Sequence, residues 1–453
     1  MTIEFMKYLT KTIEYGLYLL AFLLPLGTRW IIKAGPTEYL TYSLYGTDIL
    51  LILLLMLFIF VIASDRRERS NLGFVAIDRG LLRRCAPRND RVVWLLIVGL
   101  GLVLLVSIFF AIDKGLALYK FGWLVLGAGL FWLVSQAAYS RVKLVGSLLV
   151  GLGFQAGLGI WQFLAQATFA NKWLGLALHR ASDLGTSVVE TVGADGVGER
   201  WLRAYGGLDH PNMLGGILAV GALLLMSEYK KIPKSFKIIF WFLSVIFSAG
   251  LFFSFSRAAW LALAVGLAAG LLAAIIKKDL RAQRNLLETI LVSGLIFFIL
   301  FFQFPNLVMT RLYSGERLEI KSKSERLESI KNSWPIIKNN WASGVGVGNY
   351  TLALPLQRPG EQPYFYQPVH NVFVLAFSEI GIFGLLFFIL IIIFPFVRLL
   401  RRREYAASRN DSKLAILVAL IVVMSLDHWL WSLHFGMLFF WLAIGLAHRD
   451  SCG

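Results

Sequence analysis

A chain of 453 residues has the length of two or three soluble domains, but 58% of it is hydrophobic and only 16% charged, with a mean hydropathy of +0.69. That balance leaves too little polar surface for a water-soluble fold. The formal net charge of +17 would suit a nucleic-acid binder, yet the lysines and arginines gather in short gaps between apolar runs, as a basic inner face against anionic lipid requires. Nucleic acid is therefore not expected as a partner.

The apolar runs approach the length that crosses a bilayer, and within hydrocarbon only a helix satisfies its own backbone groups. The expected fold is all-α, a polytopic transmembrane bundle of about twelve helices in a single integral membrane domain, 1–453. In chain order the helices are read as 14–32, 47–64, 92–112, 119–138, 144–166, 209–226, 238–255, 258–276, 287–304, 369–397, 414–432 and 434–447. The first follows Lys7 and Lys11 and reads as a retained helix rather than a cleaved leader. With the N-terminus inside, Lys7, Lys11, Arg141, Lys143, Lys277, Lys278 and Arg449 all fall on the cytoplasmic side. Both termini are then cytoplasmic, as expected of a multi-pass inner-membrane protein. Cys85 and Cys452 lie in cytoplasmic segments, where a disulfide is not expected, and two cysteines are too few for a structural zinc site.

Two extracytoplasmic connections are long, about 168–212 and 305–368, and connections of that length are commonly functional. The second carries a helix of its own. Leu327, Ile330, Trp334, Ile337 and Trp341 recur at spacings of 3, 4, 3 and 4, one helical face, with Pro335 expected to kink or split it. Lys331, Asn332, Lys338 and Asn339 form the polar face, which suggests a helix lying on the membrane surface or capping the bundle.

Candidate chemistry gathers on the same outer side. Arg203-Ala204-Tyr205-Gly206 and His210-Pro211-Asn212 precede the sixth helix. Ser256-Arg257 opens the eighth, and Gly344–Tyr350 and His370-Asn371 precede the tenth. Arg257 sits on the side where basic residues are disfavoured, so it reads as an anion site, since guanidinium matches phosphate oxygens with a fixed fork of donors; snorkelling to lipid phosphate is the plainer alternative. Arg203, at the same depth, is either an ordinary loop charge or the second arginine of a diphosphate site. A lone histidine such as His370 at the outer interface is more often structural, but the unperturbed imidazole has a pKa of about 6.5, so a neutral ring there could accept a proton from a sugar hydroxyl. Glu379 lies nine residues further along, about 13 Å deeper, and is read as a positioning group bonded to a neighbouring helix. Asp427 and His428 could pair locally or line the same cavity. The Gly344-x-Gly346-x-Gly348 run follows no strand and reads as a tight turn rather than a nucleotide loop. Ser254 and Ser256 lack an acid partner in register. The six histidines show no metal-ligand spacing, so no metal is expected; His179 and His448 read as solvated residues.

Together these pieces resemble the O-antigen ligase and polymerase superfamily of bacterial membrane proteins. Arg203–Gly206 with His210-Pro211-Asn212, the Ser256-Arg257 pair, Gly344–Tyr350, and His370-Asn371 with Glu379, Gly381 and Gly384 occur in the family's order. The motifs cover about 200–400 and the topology nearly the whole chain. The resemblance implies transfer of a glycan from a polyprenyl-diphosphate carrier to an acceptor hydroxyl, without cofactor or metal and with inversion. By that analogy Arg203 and Arg257 hold the diphosphate, His370 activates the acceptor, and His210, Asn212 and Glu379 support them. Arg311, Arg317 and Arg326 are candidates for the family's loop arginines, with none singled out. Partners would be the lipid-linked glycan donor, a glycan, lipid or protein acceptor, and membrane lipid. Ligase and polymerase differ in acceptor, not chemistry. The rival from another class is a lipid-linked glycan transporter or flippase, which usually places broken helices and charges near the bilayer midplane rather than at one interface.

Overall fold

A computed structural model describes residues 3–71, 90–192, 198–229, 235, 237–313, 317–362, 365–401 and 407–449; Cys85 and Cys452 lie outside them. The described chain is mostly helical. In order come α1 (Ile3–Leu23), β1 (Arg29–Lys33), β2 (Tyr42–Tyr45), α2 (Gly46–Asn71), α3 (Asp90–Phe109), α4 (Lys114–Gln136) and α5 (Arg141–Ala165). After β3 (Val188–Val192) and β4 (Gly198–Leu202) follow α6 (Pro211–Glu228), α7 (Lys237–Phe253), α8 (Arg257–Ile276) and α9 (Leu280–Gln303). The last third holds α10 (Pro305–Tyr313), α11 (Arg317–Asn339), α12 (Tyr350–Gln357), α13 (Val372–Arg401), α14 (Ala407–Leu426), α15 (Trp429–Ser432) and α16 (His434–Arg449).

Each of the twelve expected helices has a helix at its place; among the described residues eight are long and apolar enough to cross a membrane by length and composition, with α7 and part of α14 as shorter apolar helices. The first expectation was displaced. Lys7 and Lys11 lie inside α1 rather than ahead of it, and α1 stops at Leu23, before Pro25 and Gly27. Residues expected to end that helix instead form β1, which pairs antiparallel with β2. A second hairpin joins β3 and β4.

Burial orders the bundle. Of the α6 span 89% is buried inside the protein, against 11% of the α9 span, so α6 runs through the centre and α9 along the lipid-facing rim. Every residue of α16 is buried. Helix pairs α8–α14 and α4–α16 form the main seams. At Gly127 a Cβ would sit 2.1 Å from Trp441; the missing side chain is what lets α4 and α16 close on each other. At the end of the bundle away from α7–α8's connection, Arg141 Nε donates to buried Glu228 at 2.7 Å. Nearby, the Arg449 guanidinium lies 3.4 Å over the Tyr139 ring.

The helix expected in the long connection is present as α11, and it continues through Pro335 rather than splitting. Its seam to the bundle is Ser333, Ile336 and Ile337, whereas Leu327, Ile330, Trp334 and Trp341 are exposed. An outward apolar stripe beside Lys331 and Lys338 suits a helix resting in a headgroup layer.

Candidate active site

The sequence between α7 and α8 reverses the chain in three residues, with Phe255 at φ 46° and the Ser256 hydroxyl capping α8 by accepting from Ala259 N at 3.4 Å. The last carbonyls of such a turn need donors, and water is scarce at this depth. Arginines from two distant segments supply them. Arg203 Nε donates to Ser254 O at 2.8 Å, and Arg311 donates to Phe255 O from Nε at 3.1 Å and Nη2 at 2.8 Å. Arg257 Nη1 in turn donates to Arg311 O at 3.0 Å. Arg203 and Arg311 are buried and Arg257 half-buried. Three guanidinium groups thus converge on the N-terminus of α8, whose dipole also favours negative charge. Of the three loop arginines considered, the fold selects Arg311 for this cluster. Arg326 is half-buried on α11, and the side chain of Arg317 lies outside the described residues.

From Arg203 a hydrogen-bonded chain leads to the histidines. Its Nη2 donates to Asn212 Oδ1 at 2.8 Å, and Asn212 Nδ2 donates to Asp427 Oδ2 at 2.9 Å. His210 caps α6: its Nδ1 accepts from Asn212 N at 3.1 Å. The proton therefore sits on Nε2, which meets Ser187 Oγ at 2.8 Å. Burial, then the Arg203 charge, pushes the His210 pKa down to about 3, so this ring is a neutral strut at ordinary pH.

Asp427 follows α14, with Oδ1 accepting from His428 N at 2.8 Å. Burial works to raise its pKa, but the neighbouring His370 and His428 hold the carboxyl well below the usual carboxylate range. His428 is pushed down to about 4 by burial and is held by Ser432 Oγ at 2.7 Å from Nδ1. His370 Nδ1 lies 3.6 Å from Asp427 Oδ1, longer than a hydrogen bond, and its ring is 5.1 Å from that of His428. The His370 side chain is 27% exposed against 6% for Asp427, so the imidazole is the member of the cluster that reaches outward. Asn371 sets its position, with Oδ1 accepting from Val374 N at 3.0 Å and Nδ2 donating to Ser425 O at 2.9 Å.

His370, Asp427 and His428 offer three ligating atoms within 4.8 Å of one another, a grouping that spacing along the chain does not reveal. By distance alone a divalent cation would fit. Both Asp427 oxygens, however, already accept hydrogen bonds from Asn212 and the His428 main chain, which matches a polar cluster assembled around a buried carboxylate.

Behind this cluster α13 breaks at Gly381, where φ is 66° and ψ −175°. Into the break fits the glycine loop, with Gly344, Gly346 and Gly348 all at positive φ. Val345 N and Gly346 N donate to the carbonyls of Ser378 and Glu379 at 3.0 and 2.9 Å. The loop is a tight turn, as expected, and it packs backbone against backbone. Glu379 is buried, with Oε2 accepting from Trp431 Nε1 at 2.8 Å and Oε1 from Tyr350 N at 3.4 Å. It bridges α13, α15 and the loop, away from the exposed face of His370.

Two readings need correction. His179 is only partly solvated, half-buried and stacked on Tyr205 at 4.0 Å, and His448 is not solvated but buried, with its ring 5.5 Å from that of Phe131. Lys120 escaped notice because it stands at the start of an apolar run. It is buried, with Nζ 3.6 Å over the Trp123 ring and no hydrogen-bond partner among the described residues.

Residues 242–389, about a third of the chain, match the family model described as O-Antigen ligase. The matched stretch holds Arg257, Arg311, the glycine loop, His370 and Glu379, and the resemblance to the O-antigen ligase and polymerase superfamily stands on it. Arg203, His210, Asn212 and Asp427 lie outside it and join it through the hydrogen bonds described above. A comparison with curated proteins gives no match.

Proposed function

We propose that this membrane protein of polysaccharide biosynthesis is a glycosyltransferase that moves a glycan from a polyprenyl-diphosphate carrier to an acceptor hydroxyl on the extracytoplasmic side of the inner membrane. The observation that carries the proposal is the continuous chain Arg203–Asn212–Asp427 ending 3.6 Å from His370. It links an arginine cluster suited to a diphosphate with a histidine suited to a hydroxyl.

In this mechanism the acceptor oxygen attacks the anomeric carbon as the bond to the diphosphate oxygen breaks. Attack opposite the leaving group gives inversion. His370 accepts the hydroxyl proton at Nε2, because Nδ1 faces Asp427, and the imidazolium that forms is stabilised by the carboxylate. The charge that grows on the departing diphosphate is met by Arg203 and Arg257, with Arg311 holding the turn. Diphosphate is already a good leaving group, so orientation, charge stabilisation and a base suffice without a metal ion.

The test is transfer from a polyprenyl-diphosphate oligosaccharide by purified protein in detergent, with and without EDTA. Wild type should transfer glycan in EDTA, and His370→Ala and Arg257→Ala should lose at least about 100-fold while remaining folded. His370→Ala transferring at the wild-type rate would remove the base from the mechanism. Loss of wild-type activity in EDTA, restored by a divalent cation, would instead assign the His370–Asp427–His428 cluster to a metal. The labelled acceptor separates ligase from polymerase.

A further inference from the structure

A cavity of about 510 Å³ lies among β1, β2, α4 and the segments that lead into α6 and α16, within the range of small-ligand sites. Its walls come from the linker between α1 and β1, the segment 171–177, the residues just ahead of α6, and the start of α16. None of these belongs to the stretch that matches the ligase family. Trp30, Tyr45, Trp123 and Phe435 give it aromatic faces. Between them stand Arg29 and Lys172 as cations, Glu38 and Asp209 as anions, and Asn171 as a neutral amide.

The walls are set before any ligand arrives. Tyr45 stacks on His434 at 3.7 Å, its hydroxyl accepts from Arg29 Nη1 at 3.3 Å, and His434 Nε2 is fixed to buried Asp48 at 2.5 Å. Asn171 Oδ1 accepts from Trp173 N and Leu174 N, both at 3.0 Å. At Gly175, with φ +68°, a Cβ would lie 2.4 Å from the Gly27 backbone, so only glycine lets those two wall segments meet.

The lining selects by chemistry. A diphosphate would face two carboxylates here, whereas the arginine cluster at α8 offers none. A polyprenyl chain would strip water from four charged side chains without replacing it. A ligand with alternating C–H faces and hydroxyl groups matches aromatic walls interleaved with donors and acceptors. Position supports the same choice. Asp209 immediately precedes His210, Leu433–Phe435 follow Asp427 and His428 by way of α15, and Tyr39, next to the lining residue Glu38, has its ring 5.7 Å from that of His428.

We propose that this cavity is a saccharide subsite, holding sugar residues of either the donated or the receiving glycan within reach of His370. The proposal rests on the glycosyltransferase reading for its purpose, but its test does not depend on turnover. The full-length protein would be titrated by equilibrium dialysis with lipid-free oligosaccharides, released by mild acid from the host envelope and labelled at the reducing end. Trp30→Ala and Asp209→Asn, both at exposed positions, should weaken binding tenfold or more, and His370→Ala should bind as wild type does. In transfer assays the same cavity variants should raise KM for one substrate about tenfold with kcat within threefold. Whether that substrate is donor or acceptor identifies whose sugar is held. No binding by wild type, or equal binding by wild type and cavity variants, would overturn the proposal. So would a sugar-free polyprenyl phosphate that binds and is lost in the same variants. Saccharide binding that the cavity variants lose, in a protein that transfers no glycan, would leave the subsite standing and remove the glycosyltransferase reading.

Discussion

Replacing Asp427 with asparagine isolates the electrostatic part of the proposed mechanism, because the side chain keeps its shape and loses its charge. Asp427 Oδ1 stands 3.6 Å from His370 Nδ1. Two unit charges at that separation interact by about 4.6 kcal/mol at an effective dielectric of about 20. With the imidazolium charge half developed in the transition state, about half of that is lost, or about 2.3 kcal/mol, which corresponds to roughly a 50-fold fall in kcat. Asparagine also turns an NH₂ group toward either Asn212 Nδ2 or the His428 main-chain N–H, at a cost of about 1–3 kcal/mol in stability. Transfer would therefore be measured alongside thermal unfolding in detergent, and in the His370→Ala background as well. If Asp427 acts through His370, the second substitution there should cost less than about twofold, because the partner it stabilises is gone. An Asp427→Asn protein within threefold of the wild-type kcat, or one equally damaged with and without His370, would refute the coupling.

The pH dependence should be simple on its acid side. His210, lowered to about 3, and His428, lowered to about 4, are both neutral above about pH 5, and Asp427 is ionised there, so none of the three should change charge between about pH 5 and 8. His428→Gln should therefore leave the shape of log kcat against pH unaltered over that range; a changed shape would mean that His428 titrates within it. Gly381→Ala should destabilise by roughly 2–4 kcal/mol, since φ is 66° and the new Cβ would lie 2.1 Å from Ala342 O. Gly294→Ala, with nothing within 4 Å of its Cβ, is the matched control and should be neutral or slightly stabilising in thermal unfolding. Glu379→Gln should cost about 1–3 kcal/mol by turning an amide donor toward Trp431 Nε1 or Tyr350 N. Lys120 lines the same small cavity with the opposite charge, so Lys120→Met should restore part of that loss in the double variant; additive losses would show that the two charges are uncoupled.

The helices were legible because each apolar run must form its own hydrogen bonds wherever it crosses the membrane. The same rule made the polar islands conspicuous, and Arg203, Arg257, His370 and Glu379 stood out for that reason. The first helix was misplaced because Tyr15 to Ile32 is apolar enough to read as one run, whereas Pro25 and Gly27 end it and Trp30–Ile32 enter a hairpin. The partner of His370 was the harder problem. Asp427 is on another helix end, 57 residues further on, and nothing in local pattern distinguishes a carboxylate that meets His370 from one that pairs with its own neighbour His428. Lys120 was hidden differently. A lysine at the edge of an apolar run looks like an ordinary boundary charge, and only the docking of Gly348 against its stem shows it to be enclosed.

The arginine cluster would explain why the broken helix and the proposed chemistry share one end of the bundle. A helix that stops inside a membrane protein leaves carbonyls that lipid cannot satisfy. At the end of α7 those carbonyls belong to Ser254 and Phe255, and Arg203 and Arg311 supply the donors. Guanidinium suits this task because its planar fork can hold a carbonyl in a fixed direction while its charge spreads over the whole group. The positive field that would bind a diphosphate is thus installed by a structural requirement, the capping of a broken helix. His210 shows the same economy, since it caps α6 through Nδ1 and thereby fixes Asn212, the link between Arg203 and Asp427. The Gly381 break likewise frees the Ser378 and Glu379 carbonyls for the glycine loop, which holds α13, and with it His370, in register. Polar groups in such a bundle collect where helices end, because only there does the backbone need them. A site assembled from helix ends inherits their rigidity, and substitutions within it should separate into those that loosen the ends and those, such as His370→Ala, that leave the ends closed and remove only the proposed base.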